Sequence, residues 1–234
     1  MSSLYFQICS LFYIILLIVL FFGKKKVKNI ETKIFSALIL TNFFGLIVDI
    51  ISTYLAIIDY NYILLMFFCK LYLVYLLVWI CLMTVYIIAI SLPKQSYDKN
   101  FNKAQKVIFI VSVISISLIC LLPLYSNRQN GSIYTYGPSA LMSYIISGVC
   151  VLIWLICMLK NYKNLKNRKY LPMFVYMTIG LAVTLIQAIY PSLLIITAME
   201  TFITVLMYFT IENPDVKMIE QLDIAKQNAE KANR

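Results

Sequence analysis

The sequence predicts an all-α polytopic membrane protein. The expected form is a bundle of seven transmembrane helices, N-terminus outside and C-terminus inside, with a small extracellular β-hairpin and a final cytoplasmic helix. Three observations carry this. Of 234 residues, 62% are hydrophobic and 13% charged, unlike a soluble domain of that size. Apolar runs of about twenty residues recur, each long enough to cross about 30 Å of hydrocarbon as a helix. Basic residues gather in alternate connections, as they do on the cytoplasmic side of a membrane. The bundle takes residues 1–212 and the cytoplasmic helix residues 213–234.

The runs divide into spans at 4–22, 33–58, 62–92, 107–124, 140–159, 171–190 and 192–211. The first follows Met1-Ser2-Ser3, without a positive n-region, and is itself followed by Lys24, Lys25, Lys26 and Lys28. A cleaved signal peptide has its charge first, so this span is expected to remain as an anchor with its N-terminus outside. Between the fourth and fifth spans, YSNRQNGSIYTYGPS carries Asn130-Gly131 between β-prone residues. Asn-Gly favours a type I′ turn, which predicts a hairpin pairing Tyr125–Gln129 with Ser132–Tyr136.

Of the 20 basic residues, 18 fall in the connections after the odd spans' inner ends or in the tail. Only Arg128 lies in an outer loop, and Lys70 lies within a span. This placement sets the N-out, C-in orientation and accounts for the net charge of +10 as charge facing anionic lipid. The bilayer is therefore the partner that the charge implies, with no nucleic acid required. The six cysteines (Cys9, Cys69, Cys81, Cys120, Cys150, Cys157) all sit in apolar spans, with no CxxC and no histidine in the chain. They read as packing thiols, with no metal site or cofactor indicated.

Asp49, Lys70 and Glu200 are ionisable residues inside spans, where charge is costly and marks either a pair or a site. Counted at about 1.5 Å per residue, all three lie roughly 12–14 Å below the outer surface. Gln187 and Thr197 fall near the same level. Two readings stay open: an Asp49–Lys70 pair that fixes helix packing, with Glu200 bonded elsewhere, or a network of the three that senses a ligand or an ion. The seventh span has no lysine for a retinal Schiff base, and the receptor motifs of G-protein-coupled receptors are missing from the third and seventh spans. No triad, metal cluster or phosphate loop suggests an enzyme in this chain.

The last residues read differently. Asn213-Pro214-Asp215 opens a polar helix, since Asn is a good N-cap and Pro is at home in a first turn. Met218, Leu222, Ala225, Ala229 and Ala232 then recur at four, three, four and three residues, a heptad seam of the coiled-coil kind. Glu212, Asn213 and Pro214 form the joint between the last span and this helix. The run LDIAKQNAEKANR resembles the signalling helix that leads into the dimerisation domain of bacterial hybrid-type sensor histidine kinases. The membrane part is similar in layout to the multi-span sensor regions of Firmicutes-type kinases. The resemblance implies the sensor region of a two-component kinase in the bacterial plasma membrane, dimeric through the seam. A kinase domain beyond Arg234 would then act on a response regulator. The chain has no histidine, so the phosphoacceptor is not within it, and a seam that stops at Ala232-Asn233-Arg234 predicts a continuation. Alternatives are a small-solute carrier, a stand-alone seven-span receptor, or the same sensor coupled to another output such as a cyclic-dinucleotide synthase.

Overall fold

A computed structural model describes residues 4–24, 29–58, 61–91, 97–129, 132–160, 171–189, 195–214 and six positions between 218 and 230. Seven helices and one hairpin follow in order: α1 (Tyr5–Gly23), α2 (Ile30–Ile58), α3 (Tyr62–Ser91), α4 (Tyr97–Leu121), β1 (Tyr125–Gln129), β2 (Ser132–Tyr136), α5 (Pro138–Lys160), α6 (Leu171–Ile189) and α7 (Ile196–Met207). A π turn, Tyr208–Glu212, continues α7. Among the described residues, α1 to α5 are each long and apolar enough to cross a membrane, which makes this a multi-pass membrane protein. The helix of the fourth span starts ten residues ahead of its apolar run, at Tyr97 instead of 107, because nearly three polar helical turns precede the hydrocarbon segment.

The central element is α3, which packs on α2, α4 and α5. It has no polar stripe to select one face, and it needs none because neighbours cover it on several sides. The α1 helix lies on α2 and α7, and α7 also contacts α6. A ring cluster fills the space between α3, α5 and α6. Tyr176 stacks on Trp79 at 5.4 Å and meets Trp154 edge-on at 5.2 Å. The Trp154 indole donates to Thr84 Oγ1 at 2.8 Å, so its one polar atom is satisfied inside the bundle. At the end of α1, Phe21 packs edge-on against Phe35 of α2 and Tyr208 of the π turn.

Outward faces are apolar, and the hydroxyls on them bond within their own helix. On α4, Ser112, Ser115 and Ser117 each donate to the carbonyl four residues earlier. At the exposed Ser117 this meets the hydroxyl without any neighbouring helix, while Ser115 is buried. Two helix starts, those of α2 and α3, carry side-chain caps. Asn29 Oδ1 accepts from the Thr32 amide at 2.8 Å, and Asn61 Oδ1 from the Ile63 amide at 2.9 Å.

The hairpin has the register that Asn-Gly predicts, Tyr125 opposite Tyr136 through to Gln129 opposite Ser132. The turn residues themselves lie outside the described residues. Gly137 follows β2 with φ 122°, where a Cβ would press on the Tyr125 ring and the Pro123 carbonyl. Ser139 Oγ then donates to the Ile119 carbonyl at 2.9 Å, tying the start of α5 to the end of α4. Lys24, Lys33, Lys103, Lys106 and Lys160 sit on helix ends that share one end of the bundle, and the hairpin with Arg128 lies at the other.

Gly45 permits a close approach between α2 and α3. A Cβ there would fall inside the Tyr75 ring. Gly45→Ala is therefore expected to destabilise the bundle by about 2 kcal/mol or more, since Tyr75 has no free space to enter. Unfolding in detergent mixtures checks this, and Gly45→Ala combined with Tyr75→Ala should cost less than the sum of the two singles.

Candidate functional site

The site begins with the period of two helices. On α2, Asn42, Gly45 and Asp49 stand three and four residues apart and so share one face. On α7, Thr197, Glu200, Thr201 and Thr204 do the same. All of these residues are buried. The two polar stripes face each other, and apolar residues such as Phe44 and Phe202 point outward.

The stripes join at three rungs. Thr197 Oγ1 donates to Asp49 Oδ2 at 2.6 Å. One turn further along α7, Glu200 Oε2 accepts from the Tyr75 hydroxyl of α3 at 2.5 Å. The same hydroxyl lies 3.3 Å from Asn42 Oδ1, which also accepts from Thr201 Oγ1 at 3.2 Å. The Asn42 amide donates to Thr204 Oγ1 at 3.2 Å and completes the ladder. Thr201 and Thr204 additionally donate to the carbonyls of Thr197 and Glu200, four residues back, so their hydroxyls are fixed in direction. Asp49 is 3% exposed and Glu200 2% exposed.

A second polar contact closes the other end of α7. In the π turn, the Asn213 amide bonds the Tyr208 carbonyl five residues back at 2.7 Å. The wide turn brings Glu212 onto the buried face, 2% exposed. Glu212 Oε2 accepts from Thr32 Oγ1 at 3.0 Å, and Oε1 accepts from the Tyr86 hydroxyl at 2.9 Å. The first bond reaches α2 and the second α3. Asn213 then leaves helical geometry at ψ 124°, as a residue before proline should, and Pro214 resumes a helix.

The residues singled out from sequence therefore separate. Asp49 and Glu200 belong to one buried ladder, joined through α7. Lys70 lies apart from them: its Nζ donates to the Cys120 carbonyl of α4 at 2.7 Å. The reason is helical geometry, because Lys70 and Tyr75 are about 140° apart around α3. Tyr75 faces α2 and α7, and Lys70 faces α4. Gln187 is on α6, and its side chain lies outside the described residues. Glu212, Asn213 and Pro214 form a fastened joint. Of the seam, Met218, Leu222 and Ala229 are helical and exposed, and Ala225 and Ala232 lie outside the described residues.

Sequence reading missed Asn42, Tyr75, Thr32 and Tyr86. The spacing of Asn42 and Asp49, seven residues apart with Gly45 between, is a signal that could have found the first. The tyrosines carry no such signal, since α3 holds several and only the fold selects these two. Gln7 of α1 was missed as well. It is 0% exposed and flanks Asp49 together with Thr53. A scan against protein-family models matches no family, and a search of curated proteins finds no relative.

Tyr75→Phe removes the donor to Glu200 Oε2 and the hydroxyl contact with Asn42. It is expected to cost about 1–3 kcal/mol, the penalty for leaving a buried acceptor unmet. Thr204→Val loses one interhelical bond and should cost only about 0.6 kcal/mol. Reversible unfolding of the purified variants in mixed micelles distinguishes the two.

Proposed function

We propose that this chain is a membrane sensor module that passes a stimulus along α7 into the helix after Asn213. The observation that carries the reading is Glu212. A carboxylate on a π turn, buried and held by two other helices, stands directly before the amphipathic tail. A change in how α7 packs between α1, α2 and α3 would be felt at Glu212 and therefore at the tail. The ladder from Asp49 to Thr204 lies on the same helix and is the natural place for an input. The clustering of lysines at the Glu212 end supports a cytoplasmic tail and an external hairpin.

The output is a dimer of tails. Exposed Met218 and Leu222 on helical backbone give the seam its apolar side, in keeping with a coiled coil that forms between two copies. By its resemblance, the tail would pass the signal to a histidine kinase domain and its response regulator. The mechanism is a shift between two packings of the bundle. A stimulus moves that equilibrium only by its difference in affinity for the two states.

A cysteine at position 222 should form a disulfide-linked dimer in membranes on mild oxidation. A cysteine at 227, which the heptad spacing puts about 140° around the helix from 222, should give far less. Glu212→Ala should change the yield at 222 in the direction of one state. Equal trapping at both positions, or none at either, would falsify the dimeric seam.

A further inference from the structure

Among the described residues, the carboxamide of Gln7 is buried beside the ladder without a completed hydrogen bond. The residue is fully buried beside the Asp49 carboxylate, near enough for its amide to act on that group, yet neither Nε2 nor Oε1 reaches full hydrogen-bond geometry. A carboxamide with four bonding positions unmet in hydrocarbon is costly, so such a group in a packed interior calls for a ligand. Around the same carboxylate stand the hydroxyls of Thr53 and Thr197, the latter at 2.6 Å. Among the described residues no lysine or arginine ion-pairs with Asp49, and Lys70 is committed to Cys120.

We propose that Gln7, Asp49, Thr53 and Thr197 bind a small monovalent cation, sodium being the best fit. The donors are one carboxylate and three neutral oxygens, drawn from α1, α2 and α7. Oxygen donors suit a hard cation, and histidine or thiolate donors for a softer metal are absent from the set. A single carboxylate balances a single positive charge. Glu200 sits one turn along α7 with Oε2 engaged by Tyr75, so it adds to the negative field without being needed as a ligand. The cation would clamp α1 to α2 and α7. Binding stands apart from the sensor reading; only its consequence for the tail rests on that reading.

The test is thermal unfolding of the 234-residue chain in detergent, in sodium, potassium, lithium, calcium or choline chloride at equal ionic strength, from pH 6 to 9. A ligand that binds only the folded state should raise the midpoint by roughly 3 °C or more in sodium over choline. Gln7→Met, close in size and without a donor oxygen, should weaken the sodium response about tenfold in concentration. Thr53→Val serves as the second variant should Gln7→Met fail to fold. Radioactive sodium binding gives a readout independent of stability. A midpoint that follows pH but ignores cation identity overturns the site in favour of a proton. A response to calcium alone, or a sodium response unchanged in both variants, overturns it as well. Cross-linking of the tail is measured separately, so a failure of sodium binding leaves the dimeric output to stand or fall by itself.

Discussion

The Tyr75 hydroxyl holds three helices at one point. It donates to Glu200 of α7, touches Asn42 of α2 and is carried by α3, whose ring at this position lies on the bare backbone of Gly45. In hydrocarbon, no water competes for these groups, and removing any partner strands the others. Apolar contact alone does little to set which helices meet, since lipid tails are as apolar as leucine. The polar ladder supplies the selection. It admits one rotation of α2 and one of α7, and the heptad spacing of Asn42 and Asp49 repeats the constraint along the helix.

The same logic accounts for the inward placement of polar residues. Serines and threonines on outward faces bond their own helix backbone, and several that face inward also bond another helix. Ser117 and Thr178 belong to the first kind, Thr197 and Thr84 to the second. Trp154 shows what the second kind allows, a large ring buried with its N–H met by Thr84. The first kind tells nothing about neighbours, and the second locates them.

Sequence therefore disclosed the class of fold more fully than the site. Span lengths, lysine placement and the Asn-Gly turn depend on local physics, and the hairpin register follows from them residue by residue. Depth along each helix is also local, which is why Asp49 and Glu200 could be placed near one another. Rotation about the helix axis is not local in a chain apolar on nearly every side. Lys70 was grouped with them by depth, yet it faces α4, on a different side of α3 from the ladder. Tyr75 and Tyr86 were hidden for the same reason, being two aromatic residues among many on a helix without a polar stripe. The π turn was hidden too, because nothing in TVLMYFTIENP distinguishes a wide turn from an ordinary one.

That wide turn matters for how a stimulus could travel. Glu200 and Glu212 are twelve residues apart on one continuous helix, about 18 Å at the ordinary rise. Each carboxylate is held by α3, at Tyr75 and at Tyr86, and each level also bonds α2, at Asn42 and at Thr32. A rigid helix fastened at both levels cannot rotate at one without straining the other. The π turn lies between them and can take up or release one residue, so the two ends need not move by the same amount. In the proposed mechanism, filling the Asp49 level favours one packing of α7, and the strain passes to the turn that positions Glu212. The size of the response is then bounded by the difference in binding between the two packings, however tight the binding itself.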